Sequence, residues 1–394
     1  MILAVLCVVV TALVLYALVH YMFMYDDIKV ICIDSTHNKA LIKQTPILSI
    51  EKKYRYPMFV GWHPLLHVGY SSVLRSGKPQ KHHREIITDK YTKFEEPITL
   101  DWIGGSIEQG KPLHHPTLIV IPGIAGSTHA NYIQNFVEVS KKRFRVVVYN
   151  RPGCGDLKLT SARFFLNAHP LTIKCIVDHV DATLEHKSPL FAIGYSMGGQ
   201  NVLRYLAEHT DTPLRGVVTV CQPFDSTKTC AKLIENPIYD RVLTKNLQEI
   251  VIKNKHLYEP LEVLKQNDNL NKVLSAKTLT EFDNYFTLPV HGFKDLVTDY
   301  YEGRNVTEDH LKAVKTPIIM IQADDDKVVV PEELAQYVFE HASRHNENLV
   351  VVRTKHGSHC AYEEMGPYLF APNKVAWMDR LADQLLMTLS SLHQ

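Results

Sequence analysis

The chain has 394 residues, 45% hydrophobic and 22% charged, which is enough apolar material for a large packed core and argues against long disordered tracts. Its 43 basic residues offset 42 acidic ones to a net charge of +1, so the electrostatic footprint of a DNA or RNA binder is missing and nucleic acid is not expected as a partner. Seven cysteines, odd in number and without a C-x-x-C pair, suggest neither a disulfide framework nor a zinc site; no metal and no cofactor are expected.

The first element is the run from Ile2 to Val19, eighteen residues without a charge, continuing through the aromatic and Met-rich YMFMY. That length meets the ~18-residue threshold for a bilayer span, and Tyr21, Phe23 and Tyr25 sit where interfacial aromatics are favoured. A cleaved signal peptide competes with this reading, but the start lacks a basic region and no small-x-small cleavage site follows before Asp26. Residues 1–24 are therefore expected to form an uncleaved transmembrane signal-anchor. Its sidedness is pulled two ways. Lys29, Lys39 and Lys43 follow the span and no Lys or Arg precedes it, which favours a cytosolic body. Asn305-Val306-Thr307 is a glycosylation acceptor that matters only in a lumen.

Residues 25–80 hold several aromatics and no sustained period, and are expected to pack on the main domain at 81–394. There, EII and ITLDWI read as an antiparallel pair. Short Val- and Ile-rich runs then alternate with helix-length segments at 117–121, 145–150, 190–194, 216–221, 317–322 and 348–353. Such near-continuous apolar runs indicate strands buried on both faces, hence a mostly parallel central sheet flanked by helices. About residues 223–303 break the rhythm and read as a helical cap over the carboxyl edge of the sheet, where ligands bind in such folds. Tyr239, Tyr258, Phe282, Tyr285, Phe286 and Phe293 in this cap either line an apolar acyl pocket or pack the cap onto the sheet.

Chemistry concentrates at three strand ends. The 190–194 run leads into Gly194-Tyr195-Ser196-Met197-Gly198-Gly199 and then a helix-forming stretch, the strand–turn–helix setting in which G-x-S-x-G exposes a nucleophilic serine. The backbone N–H of Met197 is placed to hold a developing oxyanion, and Ile124, in the Gly-rich VIPGIAGST, is the candidate second donor. That loop lacks the G-K-[ST] ending of a phosphate-binding P-loop. Serine needs an imidazole base oriented by a carboxylate, in chain order Ser, acid, His for this architecture. Counting from the strand at 317–322 points to Asp326, with Asp325 the alternative. After the last strand, His356 and His359 compete as base.

The chain resembles the YheT-like branch of the α/β hydrolases, and most closely its animal members, which are membrane-anchored acylglycerol lipases and phospholipases. The likeness runs from roughly residue 55 to residue 390 and rests on PGIAGSTHANYI, LTSARFF, GYSMGGQNVLRYL, VCQPFD, HGFKDLVTDYYE, ADDDKVV and HGSHCAYEE. Two departures stand out: residues 61–68 read GWHPLLHV where relatives carry G-H-x-Q-T, and Lys327 replaces a proline. The resemblance implies an α/β-hydrolase fold, Ser196, Asp326 and His359 as the catalytic set, and lipid esters at a membrane as substrates, most directly acylglycerols. Phosphatidylcholine cleavage and lipid or steroid sensing on a hydrolase fold are the alternatives. No H-x-x-x-x-D acyltransferase motif occurs, so hydrolysis is expected over acyl transfer.

Overall fold

Central strands that are apolar on both faces, extended by partly exposed edge strands, pair into a nine-stranded sheet in this computed structural model, which describes residues 2–57, 60–91, 97–104, 112–156, 158–162, 170–329, 332–366 and 372–392. In chain order they are β1 Lys29–Ile31, β2 His82–Thr88, β3 Pro97–Ile103, β4 Thr117–Ile121, β5 Arg145–Asn150, β6 Leu190–Tyr195, β7 Leu214–Val220, β8 Ile318–Ala323 and β9 Leu349–Thr354. The spatial order is β1-β9-β8-β7-β6-β4-β5-β3-β2. From β9 to β5 every pairing is parallel, while β2, β3 and β1 add antiparallel edges.

Pleating sends alternate side chains to opposite layers. Ile119 and Ile121 of β4 join one buried cluster, and Leu118 and Val120 the other. The helices that cover the two faces are α2 (Asn131–Ser140), α3 (Pro170–Thr183), α4 (Met197–Glu208) and the final Trp377–Leu392 helix. α3 and α4 bury Ile173, Ile176, Val202 and Leu206 on the first face; α2 and the final helix bury Phe136, Val137, Trp377 and Leu385 on the second. Between β7 and β8 the chain is helical, beginning with α5 (Ser226–Ile234) and α6 (Pro237–Lys253) and ending with Glu308–Ala313.

Residues 26–57 are woven into this body. No strand is expected there from the pattern, yet β1 pairs with β9, and Leu41, Ile47 and Tyr54 are buried in the core. Three residues of β1 are too few to show a period, so only the pairing reveals it. Arg163, Phe164 and Phe165 of the LTSARFF segment lie outside the described residues.

The chain opens with α1, Ile2–Phe23, a helix of 22 residues without a charge. Its described side chains are exposed, Val8 at 68% and Phe23 at 71%. Among the described residues, no helix is long and apolar enough to cross a membrane.

Candidate active site

β6 passes straight into Ser196 at φ 50°, ψ −126°, a conformation in which L-residues are rare, and α4 begins at the next residue. The Ser196 N–H donates to the Val220 carbonyl at 2.8 Å, tying the turn to β7. So sharp a turn needs glycine beside it. A Cβ on Gly194 would lie 2.6 Å from the Gly199 Cα, and one on Gly198 2.3 Å from the Ile121 carbonyl oxygen. Gly198→Ala is expected to force β4 and α4 apart, lower stability by about 1–3 kcal/mol and reduce turnover, read from thermal melts and initial rates.

The candidate base comes from the loop after β9. Ser358, Cys360 and Tyr362 all take positive φ, so this segment is held in shape by its surroundings. Within it, His359 Nε2 lies 3.0 Å from Ser196 Oγ and Nδ1 lies 2.9 Å from Asp326 Oδ2. Asp326 is itself fixed, its Oδ1 accepting the N–H groups of Val328 at 2.8 Å and Val329 at 3.1 Å. The alternatives are placed elsewhere. Asp325 accepts the Ser358 N–H at 2.7 Å and so buttresses the histidine loop, and burial raises its carboxyl to about 6. His356 turns to Asp26, Nδ1 to Oδ1 2.9 Å.

Burial of His359 disfavours its charged form, but the Asp326 charge, then Cys360, then the hydrogen bond to Asp326 outweigh that and raise its pKa to about 9. The arrangement is one that stabilises an imidazolium next to a serine oxygen, as a proton-accepting base requires.

Ile124 and Met197 both border the cleft at Ser196, and among the described residues neither N–H goes to a backbone acceptor. The loop carrying Ile124 is clamped by groups the motif reading passed over. Buried Arg151, one residue beyond β5, donates to the Gly123 carbonyl and, at 3.1 Å, to the Pro122 carbonyl, while the Gly123 N–H donates to Tyr132 Oη at 3.0 Å. Its position at a strand's carboxyl end was the available signal.

The cleft at Ser196 spans about 610 Å³ of space, much of it open to solvent. Leu233, Leu243, Leu279, Val328 and Val329 supply apolar wall, and Asp283, Tyr301 and Arg304 a polar end. None of the six cap aromatics singled out from the sequence borders it. Phe286 instead packs on Tyr258 and Phe282 at centroid separations of 5.2 and 5.3 Å, and Tyr239 Oη meets Ser358 Oγ at 3.3 Å. Tyr300 and Tyr301 stand at the cleft in their place.

A parallel sheet with a serine, an imidazole and a carboxylate aligned at its strand ends defines a hydrolase of the lipase and esterase type. A family model described as the alpha/beta hydrolase fold matches residues 116–364, more than half of the chain. The chain belongs to that family. Among curated relatives it is 29% identical over 289 residues to Abhydrolase domain-containing protein 2 of Drosophila melanogaster, covering 71% of each chain. It is 28% identical over 328 residues to Phospholipase ABHD3 of Mus musculus, covering 80% of this chain and 74% of that one. It is 26% identical over 372 residues to Monoacylglycerol lipase ABHD2 of Bos taurus, covering 88% of this chain and 82% of that one.

Proposed function

We propose that this chain is a membrane-held serine hydrolase that cleaves carboxylic esters of lipids, acylglycerols first, through an acyl-serine intermediate. The observation that carries the reading is the unbroken line from Ser196 through His359 to Asp326, opening on a cleft with an apolar wall. His359 Nε2 takes the Ser196 proton as Oγ attacks the ester carbonyl. The N–H groups of Ile124 and Met197 hold the resulting oxyanion. The bond to the alcohol then breaks and His359 returns the proton to it. Water, activated by the same imidazole, attacks the acyl-serine and releases the fatty acid.

The anchor reading is supported by α1, whose 22 residues correspond to about 33 Å of helix against a hydrocarbon core of ~30 Å. A helix that is apolar all round and exposed is unsuited to water. A cytosolic body is favoured by Lys29, Lys39 and Lys43, and by Asn305, whose half-buried side-chain oxygen accepts the Ser226 N–H at 2.7 Å where a glycan would need room.

The test is fatty-acid release from a monoacylglycerol, a triacylglycerol and a phosphatidylcholine in vesicles, for the full chain and a form lacking residues 1–24. Release from the monoacylglycerol, together with loss of vesicle flotation on truncation, is the expected result. Release from phosphatidylcholine alone would make it a phospholipase. Binding of lipid without release from any ester would replace the enzyme with a lipid sensor.

A further inference from the structure

Behind the serine–histidine pair lies a cluster that the proposed reaction does not use. Cys221, one residue past β7, and Cys360, next to His359, bring their sulfur atoms and an imidazole nitrogen of His359 within 4.8 Å of one another. Among the described residues this is the one group of three His, Cys, Asp or Glu side chains arranged so. The two cysteines lie 139 positions apart, and the Cys360 N–H donates to the Cys221 sulfur at 3.3 Å. Both hold positive φ, so their backbones are fixed rather than free to swing away.

We propose that Cys221, Cys360 and His359 form an inhibitory site for a thiophilic divalent cation of the zinc type. Two sulfurs and one imidazole are the donor set such an ion prefers, and a water or Ser196 Oγ completes a tetrahedron. Binding converts the two thiols to thiolates and releases two protons to solvent, with no change of oxidation state. His359 and Cys360 are half-buried, so the cluster is not sealed from solvent.

The consequence for the reaction is mutual exclusion. Each His359 nitrogen is already committed, Nε2 to Ser196 and Nδ1 to Asp326. A nitrogen that turns to a cation abandons one of these partners, and either loss removes the general base. The inhibition therefore rests on the hydrolase reading, whereas the binding does not.

The experiment uses the full chain, reduced and then stripped with a chelator, and follows two readouts. In the first, Zn²⁺ is titrated into hydrolysis of a water-soluble p-nitrophenyl ester. Low micromolar Zn²⁺ should suppress the rate and chelator should restore it; the half-inhibiting concentration should rise about 10–100-fold or more in Cys360→Ser and Cys221→Ser, each compared with its own metal-free rate. In the second, Co²⁺ replaces Zn²⁺, and a thiolate-to-cobalt charge-transfer band should appear in wild type and in Ser196→Ala but vanish in the doubly substituted C221S/C360S. Cys360→Ala, at the less buried of the two positions, serves if the Cys221 variants do not fold. A folded wild type without the cobalt band, or zinc inhibition equal in wild type and Cys360→Ser, overturns the site. A cobalt band in a protein that hydrolyses nothing under chelator would sink the hydrolase reading and leave the site standing.

Discussion

Ser196→Ala is expected to reduce ester hydrolysis by about a million-fold, to the small residue that binding and oxyanion contacts alone sustain. Its Oγ lies 3.0 Å from His359 Nε2, at the cleft bordered by Ile124 and Met197. Because Ser196 shapes the turn through its backbone and not its hydroxyl, the variant should fold as wild type does and lose only chemistry. Covalent labelling by a fluorophosphonate should vanish with turnover. A folded variant that still hydrolyses esters at a comparable rate would remove Ser196 from the reaction.

The second large effect belongs to Asp326→Asn, expected to cut turnover by about ten-thousand-fold with little change in KM, since an amide presents the imidazole with the wrong tautomer. The pH profile distinguishes this from simple misfolding. His359 must be neutral to accept a proton, and its pKa is held near 9, so the wild-type rate measured in chelator should climb as pH rises towards that value. Without the Asp326 charge and its hydrogen bond, burial, the largest influence, is opposed by Cys360 alone, and the climb of the residual rate should move to lower pH. Stability follows the opposite sign. A folded pKa above the ordinary histidine value of 6.5 stabilises the protein fully below 6.5 and progressively less as pH rises to about 9. That slope should flatten in the variant, as read from melting temperature against pH, and an unchanged slope would mean that Asp326 does not set the His359 charge.

The sheet was legible because doubly buried strands must be written as runs such as TLIVI and RVVVYN, and those runs became β4 and β5. The side chains that meet at the site were legible for a related reason: Ser196, Asp326 and His359 each follow a strand's carboxyl end, and strand ends in a parallel sheet converge. Local pattern cannot report what is assembled by distant contacts. β1 was hidden because three residues carry no period. Which aromatics line the cleft stayed open because an aromatic in a helix looks the same whether it faces a cavity or another ring, and Phe286 faces rings. The Cys221–Cys360 juxtaposition was invisible for the same reason, since nothing near either residue mentions the other.

The contact of Asp26 with His356 fixes more than a loop. Only Met24 and Tyr25 separate the end of α1 from Asp26, a leash of about 10 Å at full stretch. Were α1 to lie in a bilayer, as proposed above, the hydrolase body would have no slack to tumble away from the lipid surface, and the histidine loop would be stitched to the very residues that emerge from it. Substrate search would then be two-dimensional: encounter would depend on lateral diffusion of lipid within one leaflet, and the rate should track the surface fraction of ester rather than its bulk concentration.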